Sequence, residues 1–495
     1  MAPCRMLNQI PRELTDWKNN MTHEVKRLFK YVGHLPSLLS ITPNVAIIQA
    51  LLGYWDPEGS IFRFGECELT PTLEEIEGLL QIHGKGYPMI YPTNGTREQF
   101  YRFLGLRQAS MNQHPDARSC PLEFLYERFG ERGSYEQYRT DFFISNEQWV
   151  EKRVQAFGLA LINLLLFPQK HGKITFFTIN MVQSLFSGIN GITPTLVPVI
   201  IADIFTAATE CQKKRGFFYG SNLILQIWAM EHLVKRTLNP LGSCLPTENW
   251  IESHRERVKK YYRIASLTQF IQEFDNLAPE KIQWVLDWTK VRDPVFTTTQ
   301  HSFIPLAGTN GLVAYVPQRV IRQFGYPQRI SMIQGIENIR LNTVAESRSM
   351  VLEAWGNLLS LENLHLDQVN KLEPKIISEY NEWIKLTVEQ AREKAQSASA
   401  SPEEQIDKLK KELKDYQLQL IVADHALEDA RAQLKWETRK TEKLERALDA
   451  FDKIREGIRK LSIGSSRESQ RTSLARHEDF VKMVSRTINE AVQND

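Results

Sequence analysis

Apolar residues recur at spacings of three and four through most of the first 340 positions, the mark of helices that bury one stripe. Leu14, Trp17, Met21, Val25, Leu28 and Phe29 predict one such helix over residues 12–31. A shorter one is expected from Pro43 to Gly53, and others over 147–167, 195–212, 221–236, 249–263 and 279–289, each between Gly or Pro breaks. One stretch changes period: in YWDPEGSIFRFGECELT (54–70) the turn residues Asp56, Pro57 and Gly59 precede Ile61, Phe62 and Phe64 and then Gly65-Glu66, which predicts a small β-hairpin. Thr72-Leu73-Glu74-Glu75 follows as a capping box opening a helix over 72–82, closed near Gly84. KITFFT (173–178) and LVAY (312–315) are too short for periodicity to separate strand from helix. Pro317 at a first helical position and Gly325 behind Phe324 predict a last short helix of the globular domain.

The C-terminal third has a different pattern. A helical connector over 341–395, broken at Pro374, leads to the Ser/Ala-rich linker 396–402. From there Ile406, Leu413, Leu420, Leu427, Leu434, Thr441 and Leu448 repeat every seven residues, interleaved with Leu409, Tyr416, Ala423, Ala430, Glu437, Leu444 and Phe451. Twelve of these fourteen positions are apolar, which predicts a coiled coil over 403–462 that reaches roughly 70 Å at about 1.5 Å per residue. Its 14 acidic and 14 basic side chains do not make a nucleic-acid-binding zipper arm. Residues 463–495 read as a polar Ser/Arg-rich linker and a short amphipathic end segment.

Composition adds limits. The 495 residues are 42% hydrophobic and 24% charged, and 61 basic against 59 acidic side chains leave a formal charge of +2, too small a field to attract nucleic acid or an anionic membrane by itself. Cys4, Cys67, Cys120, Cys211 and Cys244 are far apart and odd in number, which predicts reduced, intracellular thiols and no zinc motif. The opening MAPCRMLNQIPRELTDW lacks the apolar run of a signal peptide, and the stretches Ala156 to Phe167 and Thr195 to Ala208 are too short to cross a bilayer. A chain that is neither secreted nor transmembrane is expected.

The hairpin region resembles the plant mobile domain group, in particular its uncharacterised, retroelement-associated plant relatives. Tyr54-Trp55-Asp56-Pro57, Phe62-Arg63-Phe64-Gly65-Glu66 and Leu69-Thr70-Pro71-Thr72-Leu73-Glu74-Glu75 carry the likeness. Three further blocks stand in the expected order: 153–168, Gly220 to Leu233 (GSNLILQIWAMEHL), and 305–328, which holds Tyr315, Pro317, Arg322, Gln323, Phe324 and Gly325. The resemblance implies a transposable-element origin and nuclear roles in transposon silencing and genome maintenance. The group's occasional "aminotransferase-like" title finds no pyridoxal-phosphate lysine here.

His83-Gly84-Lys85-Gly86 lacks P-loop spacing and reads as a helix-ending loop; His23-Glu24 lacks a second histidine four residues on and reads as a solvated face. No nucleophile elbow or dinucleotide fingerprint occurs. Asp203, Asp275 and Asp287 are the acids that a metal-dependent nuclease or transposase would have to bring together. Arg255, Arg257, Lys259, Lys260 and Arg263, with Tyr261 and Tyr262 between them, form the candidate nucleic-acid contact. Trp55, Phe62 and Phe64 are expected in the core, Gly65 at the turn, and Glu66 and Glu75 on backbone amides.

The pattern therefore predicts a mainly α protein: a globular domain over 1–340 with a small β-hairpin, then a connector and a coiled coil. The expected function is non-enzymatic and cofactor-free, with protein partners and self-association to a homodimer through the zipper. A gag-like structural protein and a cryptic metal-dependent nuclease are the competing readings.

Overall fold

A computed structural model of the 495-residue chain describes residues 4–21, 23–108, 116–213, 216–234, 249–258, 266–289, 294–331, 347–360, 376 and 378–397, with scattered positions between 438 and 486. The chain divides into two compact units, Met1–Ala398 and Ser399–Asp495. The described residues are mainly helical, with four small antiparallel sheets.

In the first unit α1 (Arg12–Asn20) and α2 (Val25–Val32) replace the single helix expected over 12–31. The break is held from outside. Buried Arg153 donates to the Asn20 carbonyl at 3.3 Å and pairs with Glu24 at 3.1 Å, so Glu24 is not a merely solvated side chain. After α3 (Val45–Leu52), capped by the Asn44 side chain, the predicted hairpin appears with one more strand: β1 (Trp55–Asp56), β2 (Ile61–Phe64) and β3 (Cys67–Leu69) form a meander with Trp55 opposite Phe62 and Phe64 opposite Cys67. Gly65 makes its turn at φ +56°.

Helix α4 (Leu73–Leu80) opens on the predicted capping box but ends earlier than Gly84. Gln81 adopts the left-handed conformation and the His34 amide takes the Leu80 carbonyl at 2.7 Å. Two later helices end in π turns: α5 (Asn146–Leu161) runs into Ile162–Leu166, and α7 (Asn222–Ala229) runs into Met230–Val234. Between them α6 (Val197–Lys213) crosses the core, its residues from Val197 to Ala202 buried. LVAY is a strand, β5 (Leu312–Tyr315), paired with β4 (Ile304–Ala307); within KITFFT only Ile174–Thr175 is extended.

The helix expected over 279–289 is absent. A 3₁₀ turn, Pro279–Lys281, leads into a segment where Ile282, Trp284, Leu286 and Trp288 are buried. Their spacing is two, not three or four, in an irregular segment that ends in a turn, the Thr289 amide donating to the Leu286 carbonyl at 3.1 Å. Pro317–Phe324 forms the predicted last helix as 3₁₀ turns, closed by Gly325 at φ +83°. Elements of the 341–395 segment belong to this same unit: Leu358–Ser360 pairs with Val295–Thr298, and α8 (Ser378–Ser397) buries Tyr380 and Ile384.

One expectation about cysteine is corrected: Cys4 and Cys211 are joined by a disulfide across 207 residues, while Cys67 and Cys120 are free and buried. Spacing along the chain detects only local pairs, and these two meet through the tertiary fold.

In the second unit the described positions between 438 and 456 and between 478 and 486 are helical, with ion pairs Glu442–Arg446 at 3.7 Å and Asp452–Arg455 at 3.1 Å. The heptad residues Ile406, Leu409, Leu413, Tyr416, Leu420, Leu427, Leu434, Leu444, Leu448 and Phe451 lie outside the described residues.

Candidate functional site

The motif residues converge on one carboxyl group. Thr72 Oγ1 accepts from the Glu75 amide at 3.2 Å, and Glu75 Oε2 accepts from the Thr72 amide at 3.1 Å, which completes the capping box. The same Oε2 receives Trp228 Nε1 at 2.9 Å. Oε1 receives Gln323 Nε2 at 2.9 Å and lies 3.0 Å from His232 Nε2. Trp288 Nε1 donates to the Glu75 carbonyl at 3.0 Å. One glutamate thus joins the α4 cap, α7 with the π turn after it, the irregular 282–289 segment and the 3₁₀ turns before Gly325.

His232 faces two acceptors, with Nδ1 2.5 Å from the Gln283 carbonyl. A carbonyl only accepts, so Nδ1 carries a proton. Glu231, its neighbour, meets His254 Nδ1 at 2.6 Å. The π turn places two consecutive residues so that each joins an acid–histidine pair, and all four side chains are at most 1% exposed.

A second hub lies beside the first. Glu68 receives Arg319 through two donors, Arg63 Nη2 at 3.2 Å and the Tyr380 hydroxyl at 3.3 Å; Arg63 also pairs with Asp56 at 2.8 Å. Gln323 also ties Glu75 to the chain just after β3, the strand that carries Glu68, by exchanging hydrogen bonds with the Thr70 backbone, each 2.9 Å. The neighbouring Glu74 accepts from the Val295 amide at 2.6 Å, and burial, reinforced by Glu77, holds its carboxyl well above the usual range. Burial does the same to Glu77, which takes the Lys85 amide at 3.1 Å from the loop His83–Gly86.

Other predicted residues fall as follows. Trp55, Phe62 and Phe64 are buried, and Trp55 Nε1 donates to Thr209 Oγ1 at 3.0 Å. Glu66, expected on a backbone amide, is instead exposed in the β2–β3 turn, and the buried carboxylate is Glu68, two residues on. Tyr315 accepts from the Leu73 amide at 3.4 Å, Pro317 starts the 3₁₀ turns, Arg322 lies over the Trp284 ring at 3.7 Å, and Phe324 packs with Ile321 and Tyr326. Asp203, Asp275 and Asp287 are not brought into a cluster: Asp203 is capped by Thr309, and Asp275 takes the Tyr54 hydroxyl at 2.6 Å. Among the described residues no group of three or more His, Cys, Asp or Glu is placed to hold a metal ion. Arg255 is exposed and bonded to Glu256; Lys259, Lys260, Arg263 and the Arg257 side chain lie outside the described residues.

Sequence reasoning missed Glu68, Arg153, Glu231 and His232. For the last two a signal existed: Glu231 is the one charged residue within the block Gly220–Leu233. An open groove of about 560 Å³ flanks the network one residue beyond His232, lined by Leu233, Gln269, Gln272, Asn276 and Lys281.

The geometry defines a mainly helical domain built around buried carboxyl hubs, in which the motif side chains bind one another. A profile described as Domain of unknown function (DUF7745) matches residues 13–389, and the chain belongs to that family. It is also similar to Protein MAIN-LIKE 1 of Arabidopsis thaliana, 21% identical over 338 residues, covering 66% of this chain and 63% of the relative. The match therefore spans under two thirds of that relative's length. No solved structure matches. Both hubs fall inside the matched span, and no helix among the described residues is long and apolar enough to cross a membrane.

Proposed function

We propose that this chain is a non-enzymatic, transposable-element-related plant protein of the plant mobile domain type: a helical interaction module, oligomerised by the heptads of 403–462, acting in the nucleus in transposon silencing or genome maintenance. The observation that carries the reading is the use of the motif residues. Thr72, Glu75, Trp228, His232 and Gln323, all from the motif blocks, are buried and converge on the Glu75 carboxyl, which supports reading the pattern as a scaffold whose outer surface recognises the partner. Similarity to MAIN-LIKE 1 supports the plant assignment.

The mechanism is avidity: a zipper that joins two weakly binding modules makes the second contact intramolecular. Removing the second unit, Ser399–Asp495, is expected to weaken capture of the partner by about a hundredfold, and an unrelated dimeric zipper in its place restores it. Restoration by a monomeric helix of equal length would overturn the avidity mechanism. Metal-dependent cleavage of DNA or RNA by the purified chain would overturn the non-enzymatic reading.

A further inference from the structure

The Cys4–Cys211 bond is the one covalent tie of the Cys4–Leu7 segment to α6. The other holds are the burial of Met6 and four hydrogen bonds: Gln49 Nε2 donates to the Cys4 carbonyl at 3.5 Å, the Arg5 amide to the Gly216 carbonyl at 3.1 Å, the Phe218 amide to the Arg5 carbonyl at 2.7 Å, and Asn222 Nδ2 to the Leu7 carbonyl at 2.7 Å. Cys211 sits in the last turn of α6, between two residues that grip the family motif. Thr209 accepts from Trp55 Nε1, and Gln212 donates to the Leu52 carbonyl at 3.2 Å and to the Trp55 carbonyl. The two Cα atoms are 5.9 Å apart, within the ordinary span of a bridge, so reduced thiols remain face to face and can close again. Cys4 and Cys211 each keep 6% of their surface exposed, against 2% for Cys67 and none for Cys120, and burial raises the two free thiols, Cys67 to about 12, which leaves them poor nucleophiles.

We propose that Cys4 and Cys211 form a thiol–disulfide switch that locks the Cys4–Leu7 segment onto the end of α6 when oxidised and loosens both that segment and the seat of Trp55 when reduced. The oxidant is a small-molecule disulfide of the glutathione class. One cysteine thiolate attacks it and releases one glutathione thiolate, and the second cysteine thiolate attacks the mixed disulfide and releases the other. The two protons leave with the thiols, and one disulfide is exchanged for another. A dithiol reductant reverses both steps.

The test uses the full chain, equilibrated with oxidised glutathione or with dithiothreitol, alkylated, and mapped by peptide mass spectrometry alongside amide hydrogen exchange. After oxidation the Cys4 and Cys211 peptides are expected as a linked, unalkylated pair. After reduction both alkylate, and exchange at Phe218 and at residues 54–56 accelerates by about tenfold or more. Cys4→Ser is expected to exchange at the reduced rate under both conditions. The proposal is overturned if Cys4 and Cys211 alkylate after oxidation, if exchange is the same in both redox states, or if oxidant-treated Cys4→Ser exchanges as slowly as oxidised wild type.

Discussion

Glu75 receives donors on both oxygens from partners 3, 153, 157 and 248 residues away in sequence. Replacing it by Gln turns one acceptor into a donor that faces other donors, so Glu75→Gln is expected to cost about 3 kcal/mol in urea unfolding. Thr72→Ala removes only the cap and is expected to cost about 1 kcal/mol. The two changes share one network, so their double variant loses less than the sum. A Glu75→Gln cost below about 0.5 kcal/mol would show that the hub is not structural. The Thr-x-x-Glu half of this hub was legible in the sequence because its partners are local. Trp228, His232 and Gln323 were not, since neither spacing nor period says which distant polar group a buried helix start will meet. Glu66 shows the same limit: turn and glutamate were both legible, but the strand register turned the next acidic residue, Glu68, inward instead.

Among elements, burial of carboxyl groups makes stability depend on pH in an uncommon direction. Asp203 accepts from the Thr309 amide and hydroxyl at the tip of the β4–β5 hairpin, and burial raises its carboxyl to about 7 despite those bonds. Glu74 and Glu77 are raised by burial as well. The folded chain thus keeps protons that the unfolded chain has already released. Their contribution to stability is complete below the unfolded values, near about pH 4, and is lost as pH rises through about 7 for Asp203 and Glu77 and about 8 for Glu74. Urea midpoints are expected to fall across that interval, and Asp203→Asn to flatten part of the slope; a midpoint rising with pH and unchanged by Asp203→Asn would contradict this. Gly33 is a second constraint between elements. It sits at φ +52°, and a Cβ there would lie 1.9 Å from the Leu80 carbonyl oxygen, so Gly33→Ala should cost about 2 kcal/mol or more by thermal unfolding. Helices framed by Gly or Pro breaks, such as α3 between Pro43 and Gly53, were legible. The 282–289 segment was not, because four tryptophan and aliphatic side chains at spacing two in a short window also satisfy a loose helical count.

For the whole molecule, the mainly helical class and a hairpin within 55–69 followed from pattern, while the third strand of that sheet and the place of Leu358–Ser360 and Tyr380 in the first unit did not. Leu358–Ser360 is too short to announce a strand, and Tyr380 reaches Glu68 across 312 residues. In the proposed function the second unit gathers copies of a scaffold whose motif residues face inward. The measurement that tests this most directly is the solution mass, by size-exclusion chromatography with light scattering, of the full chain and of a form ending at Ala398. A dimeric full chain with a monomeric, folded truncation is predicted. A full chain that is monomeric at every concentration reached, or a truncation that is still dimeric, would contradict it.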